Sequence, residues 1–174
     1  IDAYSLVGAI PIRTSPVDFE QLSVEMESAR VNHVMGASLR ALHADARKGN
    51  DYLFGSTSKD SRILPVGVVA PLAGALDIET LVEECVENNA VALALPADPS
   101  LAFSSLVFQK TLRTVADSKL PLIAYGATKP GVPSELAKLT SDLGCRLLFS
   151  GTIYFLLDEL LAVINEYDHV YIDT

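Results

Sequence analysis

The chain of 174 residues is long enough for one globular domain, and its composition, 49% hydrophobic and 20% charged, does not suit a disordered protein. A net charge of -9 repels nucleic-acid phosphates and anionic lipid surfaces, so neither is expected as a partner. The two cysteines, Cys85 and Cys145, are predicted to be small buried hydrophobic residues. No apolar run approaches the ~20 residues of a membrane helix. The sequence therefore predicts a cytoplasmic protein.

Seven short apolar segments, rich in β-branched residues, are predicted to be strands. They start near residues 3, 33, 62, 91, 120, 146 and 169 and read AYSLVG, HVMGASL, RILPVGVVA, VALALP, LPLIAYG, RLLFSG and HVYIDT. The starts recur about every 23 to 30 residues, which is the length of one strand and one helix. The sequence therefore predicts a series of repeated βα units.

The segments between these strands carry apolar residues at helical spacing. In the first of them the apolar positions are Phe19, Leu22, Met26 and Ala29. Ser15–Pro16 is predicted to start this helix, and Asp77 to precede a later one. Gly144 stands where another helix is expected to stop. Residues 40–61, with two glycines and a Ser/Thr cluster, give the weakest helical pattern.

The predicted strands are apolar on both faces, as VALALP illustrates, instead of alternating between apolar and polar residues. This pattern is typical of a parallel sheet covered by helices, so the predicted class is α/β. An open nucleotide-binding sheet would place a glycine-rich turn after its first strand, whereas AIPIRTSP follows Gly8. The even spacing without such a turn favours a (β/α)8 barrel, the TIM barrel.

One strand of that barrel is missing from the pattern. A (β/α)8 barrel has eight strands and typically about 250 residues, whereas seven strands are predicted here and HVYIDT is the last. We therefore expect a single barrel domain over residues 1–174 that lacks its last strand and helix. Its sheet should have a gap between the first and seventh strands.

Five phrases follow one another along nearly the whole chain: IDAYSLVG, VDFEQLSVEMESARVNHVMGASLRALHADARKGND, RILPVGVVAP, LPLIAYG and FSGTIYFLLDELLAVINEYDHVYIDT. In this order they resemble the amidohydrolase superfamily, in the branch of the amidohydrolase-related decarboxylases and lactone hydrolases. The resemblance implies a metal-dependent hydrolase barrel. In that family His-x-His on the first strand, histidines ending the fifth and sixth strands, and an Asp on the eighth hold the metal.

The positions that the resemblance maps onto this chain hold other residues. Tyr4 and Leu6 stand in place of the first pair, Tyr125 at the end of the fifth strand and Ser150 at the end of the sixth. Leucine binds no metal, and tyrosine and serine do so rarely. The resemblance therefore implies a divergent member without the metal site, and no cofactor is predicted. These side chains either line a small pocket or fill the former metal cavity, and we expect Tyr4, Tyr125 and Leu6 to fill it.

Polar residues after the strands are the remaining pocket candidates, because such barrels carry their function at the C-terminal strand ends. Arg40, His43 and Asp45 follow the second strand. They can be interpreted as a site for an anion or for acid/base chemistry, or as part of a loop held by local hydrogen bonds. Asp173 ends the seventh strand, where it would orient a substrate or cap a helix.

Three functions are compatible with these residues, and the sequence leaves open whether the protein is an enzyme. The leading prediction is a barrel without the metal site that is non-catalytic, or at least metal-free. It either binds a small polar or carboxylate ligand, with a carboxylate expected near Arg40, or serves as a scaffold. A metal-dependent hydrolase or decarboxylase with a relocated site would use His43, Asp45 and Asp173 together with acids from the missing eighth strand. A metal-free lyase or isomerase would use Tyr125 and His43 as acid and base. The expected partner is a small molecule, and a homo-oligomer is compatible with the sequence.

Overall fold

Seven strands and the helices between them form the described part of the chain. This computed structural model describes residues 2–8, 18–70, 77–97, 102–152 and 154–173, and only the backbone of residues 2–4. The strands are β1 (Asp2–Val7), β2 (Val34–Ser38), β3 (Ile63–Val68), β4 (Ala92–Pro96), β5 (Leu122–Tyr125), β6 (Leu147–Ser150) and β7 (Val170–Ile172). The helices are α1 (Phe19–Ala29), α2 (Leu39–His43), α3 (Ala46–Thr57), α4 (Ile78–Glu87), α5 (Leu106–Asp117), α6 (Val132–Asp142) and α7 (Leu157–Glu166), with a 3-10 turn at Tyr154–Leu156. None of the described helices has the length and apolar character needed to cross a membrane.

The strands lie in sequence order in one curled sheet. Each strand pairs in parallel with the next, from β1 to β7. Within the described residues β1 pairs with β2 alone and β7 with β6 alone, so the sheet is open between its first and last strands. This is a partial (β/α)8 barrel, which confirms the predicted fold class and the predicted gap. All seven predicted strands are present, each starting within about two residues of its predicted position.

The sheet is apolar on both faces, as expected when helices cover one side and the barrel interior the other. On the inner face Leu6, Tyr125 and Leu148 pack against a cluster of small and branched side chains. The strand residues in that cluster are Ala37, Val66, Val68, Ala92, Ala94 and Ile123. On the outer face Leu93 and Leu122 are fully buried against the helices. The double burial explains why the strand sequences do not alternate.

The predicted start of α1 is wrong. The helix begins at Phe19, and Asp18 is its N-cap, because the Asp18 carboxylate accepts the backbone N–H of Gln21 at 2.8 Å. Ser15 and Pro16, which the sequence suggested for this role, lie outside the described residues. An aspartate next to the apolar stripe is an equally good capping residue, and the sequence contains both signals.

The segment predicted to be the weakest helix contains two helices, α2 and α3. Ser38 caps α2 and Asp45 caps α3, each through its side-chain oxygen. Gly49 is part of α3 for a steric reason: a Cβ at this position would collide with the backbone of Ala41 in α2. The glycine that weakens the helical pattern therefore allows the two helices to pack closely.

Two other helix predictions and the prediction about the cysteines are confirmed. Asp77 caps α4 through the backbone N–H of Thr80, and Gly144, in the left-handed conformation, follows the end of α6. Cys85 and Cys145 are both buried. Burial raises the pKa of the Cys85 thiol to about 12, so this cysteine is a packing residue and not a nucleophile.

The side-chain amide of Asn50 takes the place of a missing strand partner at the end of β3. Within the described residues the β2–β3 ladder ends at the pair Gly36 and Pro65, which leaves the end of β3 without a strand on that side. Asn50 of α3 fills the place. Its amide nitrogen donates to the carbonyl of Val68 at 3.0 Å, and its oxygen accepts the N–H of Val68 at 2.9 Å. Asn50 is 3% exposed, so water cannot substitute for either bond.

We expect Asn50→Asp to lower the free energy of unfolding by about 3 kcal/mol or more, because a buried carboxylate would face the Val68 carbonyl. Asn32→Asp makes the same change at an exposed position and should cost little. Urea unfolding at pH 7 measures both variants. Equal losses for the two would show that the Asn50 amide does not support the sheet.

A charged cluster joins α1 to the start of β3, at the end of the barrel where the strands begin. The opposite end, where the strands finish, is the mouth of the barrel. Arg62 donates to the Asp60 carboxylate at 2.7 and 3.0 Å, and the Ser23 hydroxyl donates to it at 2.9 Å. The hydrogen bonds from Arg62 hold the pKa of Asp60 well below its ordinary value of 3.8. Because the folded state favours the charged form, this cluster stabilises the fold above pH 4 or so and loses its effect as the pH falls further.

The Asp60 cluster predicts a pH-dependent stability difference. At pH 7 we expect Asp60→Asn to lower the free energy of unfolding by about 1.5 kcal/mol, since charge-assisted hydrogen bonds are lost. The difference from the wild type should shrink as the pH falls below 4 or so, because the wild type then loses the same contribution. Urea midpoints from pH 7 to pH 3 test this, with the exposed Asp51→Asn as control. A difference that stays constant down to pH 3 would contradict it.

Candidate functional site

The C-terminal ends of β5, β6 and β7 lie level and form one side of the barrel mouth. Tyr125 pairs with Ser150 in the β5–β6 register. Phe149 pairs with Ile172 in the β6–β7 register, so Ser150 is level with Asp173. Parallel pairing therefore brings three of the sequence-based candidates to the same end of the sheet.

The same candidates face the barrel interior. Tyr125 and Leu6 both pack against the inner apolar cluster, as does Leu148. Because alternate residues of a strand face the same side, Ser150, two residues after Leu148, also faces inward. Tyr125 and Leu6 thus lie on the interior side of the sheet. The side chain of Tyr4 lies outside the described residues.

Ser150 and Asp173 form a short hydrogen bond across the ends of β6 and β7. The Ser150 hydroxyl donates to Oδ2 of Asp173 at 2.8 Å. Ser150 is 3% exposed, whereas Asp173 is half-buried. The serine therefore orients the carboxylate from the buried side. The other carboxylate oxygen, Oδ1, makes no hydrogen bond within the described residues and can accept one from a ligand.

The ring of Tyr125 lies directly on the backbone of Gly151, the residue that follows β6. A Cβ built at Gly151 would lie 2.6 Å from Cε2 of Tyr125, closer than side-chain carbons approach one another. Gly151 also has φ +63°, in the left-handed region. A glycine is needed here both for the backbone turn and for the position of the tyrosine ring.

The candidate residues after β2 have different surroundings: Arg40 and His43 are exposed, whereas Asp45 caps a helix. Arg40 and His43 are exposed on α2, which begins directly at the end of β2 and so lies at the mouth. Asp45 accepts the backbone N–H of Lys48 at 3.0 Å as the N-cap of α3. That hydrogen bond is the main cause that lowers the pKa of Asp45. The Asp45 carboxylate is therefore engaged in local structure, while Arg40 is available to an anion.

The mapped metal positions whose side chains the structure describes do not offer a donor set for an ion. Leu6 carries no donor atom, the Ser150 hydroxyl is bonded to Asp173, and the Tyr125 ring is held against Gly151. In the ranges that the structure describes, no group of three or more His, Cys, Asp or Glu side chains is placed to hold a metal. The residues present here do not fit the metal that the resemblance would imply.

Glu159, in the first turn of α7, is absent from the sequence-based candidates although it joins two elements at the mouth. Its carboxylate accepts the backbone N–H of Gly131 at 2.9 Å and that of Ser134 at 3.1 Å, and the Ser134 hydroxyl at 2.7 Å. Both partners begin α6. The available signal was Gly131 itself, because a glycine at a helix start has no side chain with which to cap it.

The fold is shared with solved structures. No protein-family model matches the sequence, and no curated protein matches it. A candidate 2-pyrone-4,6-dicarboxylic acid hydrolase from Pseudomonas putida aligns with TM-score 0.73 and 12% identity, over 98% of this chain and 66% of that one. A second such hydrolase, from Acinetobacter baumannii with citric acid bound, aligns with TM-score 0.57 and 15% identity, over 85% and 56%. A 2,6-dihydroxybenzoate decarboxylase from Rhizobium aligns with TM-score 0.55 and 12% identity, over 97% and 64%.

At identities of 12 to 15% these likenesses show the fold alone. The chain spans 56 to 66% of the length of these structures.

The contact between Tyr125 and Gly151 predicts different effects for two glycine substitutions. Gly151→Ala and Gly144→Ala both place alanine at a positive φ, but a Cβ at Gly144 meets no atom within 4 Å. We expect Gly151→Ala to lower the free energy of unfolding by about 1 to 2 kcal/mol more than Gly144→Ala, because the tyrosine ring must move. Urea unfolding and the NMR signals of the Tyr125 ring measure this. Equal losses with an unmoved ring would contradict it.

Proposed function

We propose that this barrel binds a small hydroxycarboxylate at its mouth without the family's metal ion. The observation that carries the proposal is the Ser150–Asp173 hydrogen bond at 2.8 Å, level with Tyr125 at the strand ends. A carboxylate fixed by a buried serine is a preorganised acceptor for a ligand hydroxyl. Arg40, exposed after β2, supplies the positive charge for the ligand's carboxylate.

The charge of the chain makes Arg40 important to this proposal. The net charge of -9 opposes an anionic ligand at long range. Binding of a carboxylate therefore depends on a local cation whose guanidinium can make two hydrogen bonds. Lys48, also near the start of α3, is a poorer candidate because its ammonium is 3.5 Å from the Asp45 carboxylate.

A relocated metal site is less well supported. It would need His43, Asp45 and Asp173 as ligands, but the Asp45 carboxylate caps α3 and the Asp173 carboxylate accepts the Ser150 hydroxyl. The described residues hold no metal-binding group of three such side chains. A carboxylate engaged in a helix cap would have to leave its N–H partner to bind an ion.

The names of the solved structures favour a second candidate, a hydrolase or decarboxylase that acts on a carboxylate at the same mouth. The substrates in those names, 2-pyrone-4,6-dicarboxylic acid and 2,6-dihydroxybenzoate, are both small carboxylates. Incubating each with the chelator-treated protein, and with the protein after addition of Zn²⁺ or Mn²⁺, separates the candidates. Turnover would support catalysis, and turnover that requires the metal would overturn the metal-free proposal.

Calorimetric titration with citrate tests the binding proposal. Citrate has three carboxylates and one hydroxyl, and tricarballylate is the same molecule without the hydroxyl. We expect citrate to bind, and Arg40→Gln to weaken it about tenfold, since one charge-assisted pair is lost. Tricarballylate should bind more weakly than citrate, and Asp173→Asn should reduce the difference between them.

Arg113→Gln is the matched control for Arg40→Gln, because Arg113 is an exposed cation on α5. It changes the net charge equally and should leave citrate affinity nearly unchanged. Failure of citrate, 2-pyrone-4,6-dicarboxylate and 2,6-dihydroxybenzoate all to bind the wild type would refute the proposal. Equal effects of the two arginine substitutions would remove Arg40 from the site.

A further inference from the structure

The N-terminus of α6 is capped by a residue from another helix. Its N-cap position is Gly131, with φ +88° and no side chain to accept a hydrogen bond. By contrast, α1, α3, α4 and α5 are capped by their own N-cap side chains, Asp18, Asp45, Asp77 and Ser105. The Glu159 carboxylate of α7 takes this place for α6, with both of its oxygens bonded to Gly131 and one bonded to Ser134.

The hydrogen bonds of Glu159 link the loop after β5 to the segment after β6, both of which lie at the mouth. Residues 126–131 lead from Tyr125, at the end of β5, to the start of α6. Their far end is held by Glu159. Their near end is held by the N–H of Gly126, which donates to the carbonyl of Ser150 at 3.0 Å. The loop after β5 is thus fixed at both ends to the segment that begins with β6 and continues into α7.

We propose that Glu159 is a positioning residue for the mouth, which holds the 126–131 loop, and through it the Tyr125 ring, in the arrangement that the ligand meets. The inference rests on the proposed ligand site. Glu159 lies in the outer helical layer and acts through Gly131, Ser134 and the loop between them. Thr128 and Lys129, both exposed, are the residues of that loop whose position at the rim depends on it.

The strength of the contact supports this role. Two backbone N–H groups at a helix start and one hydroxyl converge on a single half-buried carboxylate. Burial would raise the pKa of Glu159, but the hydrogen bonds from Gly131 and Ser134 together outweigh it and lower the pKa below 4.5. The carboxylate is therefore charged at neutral pH, the form that a helix N-terminus favours.

The test compares Glu159→Gln, Ser134→Ala and Asp60→Asn with the wild type. Glu159→Gln loses the charge and one acceptor at the cap, and Ser134→Ala loses one of its hydrogen bonds. Asp60→Asn destabilises the opposite end of the barrel and controls for a general loss of stability. In the absence of ligand, the NMR signals of the Tyr125 ring and of the Gly126 amide should shift in Glu159→Gln, shift less in Ser134→Ala, and stay unchanged in Asp60→Asn.

Citrate titration supplies the second readout. We expect Glu159→Gln to weaken citrate at least about fivefold and to reduce the preference for citrate over tricarballylate, whereas Asp60→Asn changes neither. If the wild type binds citrate and Glu159→Gln binds it equally well, the positioning role is overturned. If the wild type binds no citrate, the proposed function fails unless 2-pyrone-4,6-dicarboxylate or 2,6-dihydroxybenzoate binds. The positioning role is then upheld by the shifted Tyr125 and Gly126 signals or overturned by unshifted ones.

Discussion

The parallel register of β5, β6 and β7 is the constraint on which the proposed site depends. It makes Tyr125 level with Ser150 and Ser150 level with Asp173. Residues from three strands, separated along the chain by about one βα unit each, thereby reach the same edge of the sheet. A shift of one residue in the β6–β7 ladder would turn Asp173 away from Ser150, and a shift in the β5–β6 ladder would take Ser150 out of level with Tyr125.

The inner face of the sheet carries apolar side chains up to the ends of the strands. Leu6 and Tyr125 pack on the inner apolar cluster, and the tyrosine ring rests on Gly151. The proposed ligand site is built on the polar groups at these strand ends, the Ser150 hydroxyl and the Asp173 carboxylate, which are hydrogen-bonded to each other.

The repeat of apolar segments was sufficient to predict the seven strands and the barrel class, because each βα unit carries its own local pattern. The resemblance mapped Tyr125 and Ser150 to strand ends, and the pattern of the last segment placed Asp173 at the end of the seventh strand. The local pattern failed for the start of α1, where Ser15 and Asp18 offer competing caps. It also undervalued α3, since the reason for Gly49 is its contact with another helix.

Contacts between residues distant in sequence explain what the sequence did not reveal. Asn50 lies 18 residues from the strand residue whose peptide group it bonds, and Glu159 lies 28 residues from Gly131. Neither residue stands in a motif, and an Asn or Glu on a helix ordinarily reads as a solvent-facing residue. Only the packing of α3 against β3 and of α7 against α6 gives them their roles.

The most direct test of this account is an NMR titration of the ¹⁵N-labelled, chelator-treated protein with citrate. We predict that the signals that shift belong to residues at the strand ends, above all Ser150 and Asp173, and to the Arg40 side chain on α2. His33 and His169, which precede β2 and β7 at the opposite end of the barrel, should not shift. Shifts confined to that opposite end, or shifts that appear only after a metal ion is added, would contradict the account.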